Sequence, residues 1–230
     1  MKKFCILLAL LLALCTLCAC PQSVEKETTA AGLTTTEPAT IDPALIEAYK
    51  PIQDEFARLA KEGPEDHGAW EALGFKEVPQ EPKEGALGYA VIDINGDGIP
   101  ELLLMEKDSW ANPGEPAINA LYTLQKREPV LIGQYWSRSR GHLGKDGRLF
   151  TVGSGSAESV YLDSYELKPG AAELTHMTEY YTDVGKSGKP YWVMKTGGTE
   201  ESLSETQFNT LLGLYEKPEY LMRFEFVPVN

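Results

Sequence analysis

The sequence predicts an α+β domain in which helices cover an antiparallel, meandering sheet. Three patterns carry that expectation. Apolar residues recur at three- and four-residue steps near residue 50. Between residues 87 and 195, short apolar or alternating runs are separated by Gly, Pro, Asn and Asp. A helix-capping sequence near residue 204 then precedes a final apolar run.

The first helix opens at Asp42-Pro43, an N-cap residue followed by a first-turn proline. Leu45, Ile46, Tyr49, Ile52, Phe56 and Leu59 fall on one face, and Pro51 is expected to kink or split the helix near its middle. Gly63-Pro64 ends it, and residues 70–73 suit a short second helix. Strands are expected at 87–92, 101–106, 118–124, 129–136, 149–152, 160–167, 174–181 and 191–195. Ser204-Glu-Thr-Gln207 is a capping box that starts a helix with Phe208, Leu211, Leu212 and Tyr215 on one face. Residues 220–227 close the chain as a strand.

Ahead of the domain lie two segments of different composition. Residues 1–19 combine a basic start, Lys2-Lys3, with an apolar run from Phe4 to Leu17, as a secretory signal peptide does. The run is too short for a transmembrane helix, which needs about 20 apolar residues. Leu17-Cys18-Ala19-Cys20 resembles a bacterial lipobox, although Cys18 replaces the usual Ala, Ser or Thr. That resemblance implies cleavage before Cys20, lipidation of Cys20 and anchorage to the outer face of the cytoplasmic membrane. Residues 20–40 are small and polar, with too little apolar surface to offset ordering entropy, and read as a flexible tether. A single domain is expected over 41–230.

Composition restricts the chemistry of that domain. All four cysteines, Cys5, Cys15, Cys18 and Cys20, lie in the leader or at its end. With Cys20 lipidated, the exported domain has no thiol for a disulfide, a thiolate metal site or a nucleophile. The chain carries 21 basic and 34 acidic residues, a net charge of −13. Cleavage removes Lys2 and Lys3 and no acid, which takes the net charge to −15. Such a surface repels nucleic acid and anionic lipid, so neither is expected as a partner and the lipid is the only membrane contact.

One motif carries chemistry: Asp93-Ile-Asn95-Gly-Asp97-Gly98-Ile99-Pro-Glu101, between two expected strands. Oxygen ligands at alternate positions, with glycine for the tight turn, can wrap a hard cation. Asp93, Asn95 and Asp97 supply side chains, Ile99 its carbonyl, and Glu101 closes the set. Calcium suits a flexible all-oxygen loop better than magnesium does, and zinc would want His or Cys. A plain turn is the competing reading, since Asn95-Gly96 and Asp97-Gly98 are strong hairpin signals without any metal. A turn alone, however, does not require acids at the first, fifth and ninth positions. The loop resembles the first half of an EF-hand loop, but Leu104 stands where the bidentate glutamate would be. It is closer to the calcium loops on β-hairpins of integrin-type and FG-GAP-type repeats.

A wider resemblance runs from Tyr49 to Tyr215. The hairpin from Tyr89 to Leu104, the Leu121-Tyr-Thr123 strand, the Asp146-Gly147 turn, Gly153-Ser-Gly155 and the Ser204 to Phe208 helix start resemble a group of Firmicutes surface lipoproteins. The resemblance implies location, fold and metal, and carries no activity.

Other sequence features read as structural. Gly153-Ser154-Gly155-Ser156 is not the Gly-x-Ser-x-Gly of a nucleophile elbow, because Gly155 holds the place of its serine and Ala157 that of its last glycine. His67, His142 and His176 lie at no ligand spacing, and the neighbours Glu200 and Glu201 point apart in a strand. Trp110, Trp136, Tyr180, Tyr181, Tyr191 and Trp192 are numerous enough for a ligand-stacking surface, with Trp110 in its polar loop the first candidate. The expected function is a non-catalytic binding or accessory domain stabilised by calcium. The alternative is an extracellular hydrolase acting on cell wall or glycan through carboxylates.

Overall fold

The computed structural model describes residues 41–80, 82–107, 116–156, 159–184, 189–215, 217 and 220–229. All of them belong to the compact unit Ala39–Asn230. The signal peptide, Cys20, the tether and Trp110 lie outside the described residues.

The chain begins with helix α1, Pro43–Glu47, capped by the Asp42 carboxylate, which accepts from Ala44 N–H at 2.9 Å. Helix α2, Lys50–Glu62, follows, with Pro51 in its first turn. The helical run therefore breaks at Ala48-Tyr49, upstream of the proline, because a first-turn proline has no N–H to lose and is best placed at a helix start. Gly63, with φ of 94°, ends α2. Helix α3, His67–Ala72, is capped by Asp66.

Eleven strands form one antiparallel sheet: β1 Leu87–Ile92, β2 Glu101–Glu106, β3 Ala117–Gln125, β4 Glu128–Gln134, β5 Ser139–Leu143, β6 Leu149–Ser156, β7 Ser159–Leu167, β8 Leu174–Val184, β9 Pro190–Thr196, β10 Thr199–Leu203 and β11 Val227–Pro228. Their order is β10-β9-β8-β7-β6-β5-β3-β2-β1-β11, with β4 paired to β3 off this path. Helix α4, Glu205–Tyr215, lies between β10 and β11 in sequence. The domain is thus mixed α+β. Two strands, β5 and β10, were not expected from the sequence. Their residues, Ser139-Arg-Gly-His-Leu143 and Thr199-Glu-Glu-Ser-Leu203, are too polar or too short in apolar content to signal a strand alone, and pairing with neighbours decides them. The expected terminal strand is mostly irregular chain, with Leu221 bridged to Gly144 and only Val227–Pro228 paired to β1.

Alternation along the strands sends side chains into three apolar clusters. Leu102 and Leu104 of β2, with Ala120, Tyr122 and Leu124 of β3, pack under the helices against Tyr49, Phe56, Leu59, Trp70 and Phe75. Phe56, Trp70 and Phe75 form a triangle of rings with centroids 4.9–6.0 Å apart. The other side of the same strands, Leu103, Met105, Ile118 and Leu121, joins Leu143, Leu149, Tyr165 and the C-terminal Met222, Phe224 and Phe226. Beyond it, Phe150, Val152 and Leu162 face Leu212 and Tyr215 of α4. Among the described residues, no helix is long and apolar enough to cross a membrane.

Candidate metal-binding loop

The β1–β2 hairpin closes in register at Ile92 opposite Glu101, leaving residues 93–100 as its loop. Two glycines let the chain double back: Gly96 and Gly98 have φ of 75° and 83°, a region costly for a residue with a Cβ. Asp93 organises the turn. Its Oδ1 accepts from Gly96 N–H at 2.8 Å and Asp97 N–H at 3.2 Å, and its Oδ2 accepts from Gly98 N–H at 2.8 Å. Asn95 Oδ1 accepts from Asp97 N–H at 3.0 Å, and Asp97 Oδ1 accepts from Ile99 N–H at 2.8 Å. Asp93, Asn95 and Asp97 are therefore brought together on one turn by the amides they accept from.

Glu101 sits differently. It is fully buried, with Oε2 accepting from Ile94 N–H and Oε1 from the Thr123 hydroxyl, both at 2.9 Å. Burial pushes its carboxyl up to about 7; the two hydrogen bonds oppose that shift, and the charges of Asp97 and Asp93 add to it. The loop thus places a desolvated carboxylate behind two others, an arrangement that favours either a proton or a cation. A raised carboxyl is also the mark of a general acid, but Glu101 has no exposed surface and both of its oxygens are engaged.

Distant segments hold the loop. The buried Tyr49 hydroxyl donates to Pro100 O at 2.7 Å, fixing the helical layer to the loop's end. Burial, and then the Glu101 charge, push that phenol well above its ordinary value. On the other side, the β7–β8 turn reaches in: Gly170 N–H donates to Asp97 Oδ2 at 2.7 Å, and Asn95 Nδ2 donates to Lys168 O at 3.4 Å. The turn before β6 is as close, since a Cβ on Gly147 would stand 2.9 Å from Ile94 O. Ile99 packs with the helical cluster and Ile94 with the opposite one, so the loop bridges both sides of the sheet.

The sequence motif names Asp93, Asn95, Asp97, Ile99 and Glu101; the first four lie in this loop, and Glu101 opens β2 directly after it. It does not name Tyr49, Thr123, Lys168 or Gly170, whose contacts are set by the tertiary fold and leave no local signal. Among the described residues, no group of three or more His, Cys, Asp and Glu side chains converges closely enough to hold a metal as it stands.

The remaining features fall elsewhere. His142 is buried and stacked on Phe150, with centroids 5.4 Å apart. His176 pairs with Asp163 across β7 and β8 at 3.1 Å. Glu200 and Glu201 are neighbours in β10, so their side chains leave on opposite faces.

No protein-family model and no curated protein matches the chain. It is similar to a solved structure described as "Structure of a Xanthomonas Type IV Secretion System related protein", at 22% identity. That likeness covers 50% of this chain and 57% of the other, with a TM-score of 0.31. The chain thus spans little more than half of that protein, and a likeness this slight carries no argument about function.

Proposed function

We propose that this chain is a lipid-anchored, extracytoplasmic binding or accessory domain without catalysis of its own, and that its 93–101 loop takes one calcium ion with a structural role. The observation that carries the metal reading is Glu101: a fully buried carboxylate facing the charges of Asp93 and Asp97. A turn formed by Asn-Gly and Asp-Gly alone gains nothing from that third acid, and the folded state bears its desolvation.

The donor set fits the ion. It is oxygen throughout, as calcium requires, and Asp93 Oδ2, both Asp97 oxygens and both Glu101 oxygens each accept one hydrogen bond and keep a second lone pair. Asp93, Asn95 and Asp97 would hold the ion through side chains, Ile99 through its carbonyl, and Glu101 would complete the set. When bound, the ion supplies the positive charge that three crowded carboxylates lack. Loading requires the acids to draw closer than they stand here. Calcium fits an extracellular site, where a dissociation constant of about 10⁻⁴ to 10⁻³ M is useful.

The leader supports the location. Cys20 follows the small residue Ala19, whereas Cys15 and Cys18 each follow a leucine, a poor residue for cleavage. Fractionating cells that carry Cys20→Ser tests this half of the reading. Release of the protein, or retention of an uncleaved precursor, is expected; normal processing and continued membrane attachment would contradict it. Calorimetric titration of the full-length protein with calcium tests the other half. Uptake of one ion is expected, and no heat at millimolar calcium would contradict it.

A further inference from the structure

On the far half of the sheet one face packs on α4; the other is buried near β6, where Leu149 and Thr151 lie, and becomes exposed toward β10, at Asp183, Tyr191, Glu200 and Ser202. Leu162 and Tyr180 of β7 and β8 pack toward Leu212 and Tyr215 of α4. The residues that alternate with them point the other way. Pairing sets two rows across that second face: Gly153, Tyr161, Tyr181, Val193 and Ser202, and beside them Thr151, Asp163, Glu179, Lys195 and Glu200. Asp183 and Tyr191 pair next to the first row. Paired residues and those two apart share a face, so three tyrosines and four acids lie together with one lysine.

The tyrosines are held in place. Tyr161 donates to Arg138 O at 3.0 Å and lies across Gly153, where an added Cβ would meet its ring at 2.5 Å. Tyr191, 40% exposed, donates to Asp183 Oδ2 at 3.3 Å. Asp163 is paired with His176. Ring faces carry negative potential and attract cations, and the carboxylates beside them add to that field.

We propose that the β8–β10 part of this face docks a lysine- or arginine-rich segment of a partner polypeptide, with cationic side chains over the exposed tyrosine rings and between the carboxylates. Charge complementarity decides the occupant. Glu179, Asp183 and Glu200 outnumber Lys195, on a chain of net charge −13. A neutral glycan would use the rings but has no need of the acids. The inference rests on the binding-domain reading of the chain, and it is independent of calcium.

The test is fluorescence anisotropy of a labelled peptide of alternating lysine, arginine and serine, titrated with the full-length protein in calcium and again in chelator. Saturable binding that weakens steeply with added salt is expected. Tyr191→Ala should weaken it about 2- to 5-fold, as the loss of one exposed cation–π contact does. Glu200→Lys should weaken it further and shift the salt dependence. If Glu200→Lys lowers the melting temperature, Glu200→Gln takes its place, with a smaller loss expected. Three results would overturn the proposal: no binding by wild type, binding unchanged in both variants, or uptake of a neutral oligosaccharide in place of the peptide. Equal binding in calcium and chelator, with no calcium heat, would remove the metal and leave this surface standing. Calcium heat without peptide binding would do the reverse.

Discussion

Replacing Glu101 by Gln should stabilise the metal-free protein above neutral pH while abolishing its response to calcium. The geometry makes the swap conservative. The amide oxygen can accept from Ile94 N–H, and the amide nitrogen can donate to the Thr123 hydroxyl, which serves either role. Only the charge is lost. A carboxyl held near 7 against an ordinary 4.5 costs the folded state about 3 kcal/mol as an anion. Its folded value lies above its unfolded one, so the cost is absent below pH 4.5 and complete once pH has risen past about 7. At pH 8 in chelator, Glu101→Gln should therefore melt higher by up to about 6–12 °C, taking roughly 2–4 °C per kcal/mol for a domain of this size. At pH 4.5 the two proteins should melt together. The assay is differential scanning calorimetry at both pH values. A variant that melts lower than wild type at pH 8 in chelator would refute the account of Glu101 as an uncompensated anion.

Two further outcomes are expected. His142 is pushed down to about 4 by burial and then by the Arg140 charge, so its contribution is whole above pH 6.5 and is lost as pH falls toward 4. The loss is about 3 kcal/mol, and pH-dependent urea unfolding of His142→Phe should lack it; an unchanged acid limb would count against it. This slope opposes that of Glu101 between pH 4.5 and 6.5, so removing either group should leave the other's slope more visible. Phe56→Ala, which empties the ring triangle with Trp70 and Phe75, should cost about 3–5 kcal/mol in the same assay, and a loss under 1 kcal/mol would contradict the packing described.

Local signals account for much of the architecture. The β1–β2 hairpin is legible because the Asn-Gly and Asp-Gly pairs force a turn between two apolar runs, and Ile92 opposite Glu101 is the register that turn sets. Elsewhere local signals are absent. The β3–β4 turn is made by Lys126 and Arg127 at φ of 54° and 69°, where no glycine or asparagine announces it. β5 and β10 are strands because neighbours offer them hydrogen bonds, which their own residues do not demand. The same limit applies at the loop. Spacing alone collects Asp93, Asn95, Asp97 and Glu101, since a tight turn folds them together. Gly170, 73 residues beyond Asp97, reaches it only because the sheet brings the β7–β8 turn back to the first hairpin. Likewise the tyrosine rows arise from register across five strands, which periodicity within one strand does not reveal.

The most direct test of the central claim is thermal melting of the full-length protein with calcium and with chelator, beside Asp97→Ala. Calcium at a hundredfold excess over its dissociation constant should add about 2.7 kcal/mol by binding only the folded state. That corresponds to a rise of about 5–11 °C. Asp97→Ala removes one carboxylate from the site and should show no calcium-dependent rise, and magnesium should substitute poorly in wild type. If wild type melts at one temperature in both buffers, the 93–101 loop is a turn held by its own amides and the calcium reading fails.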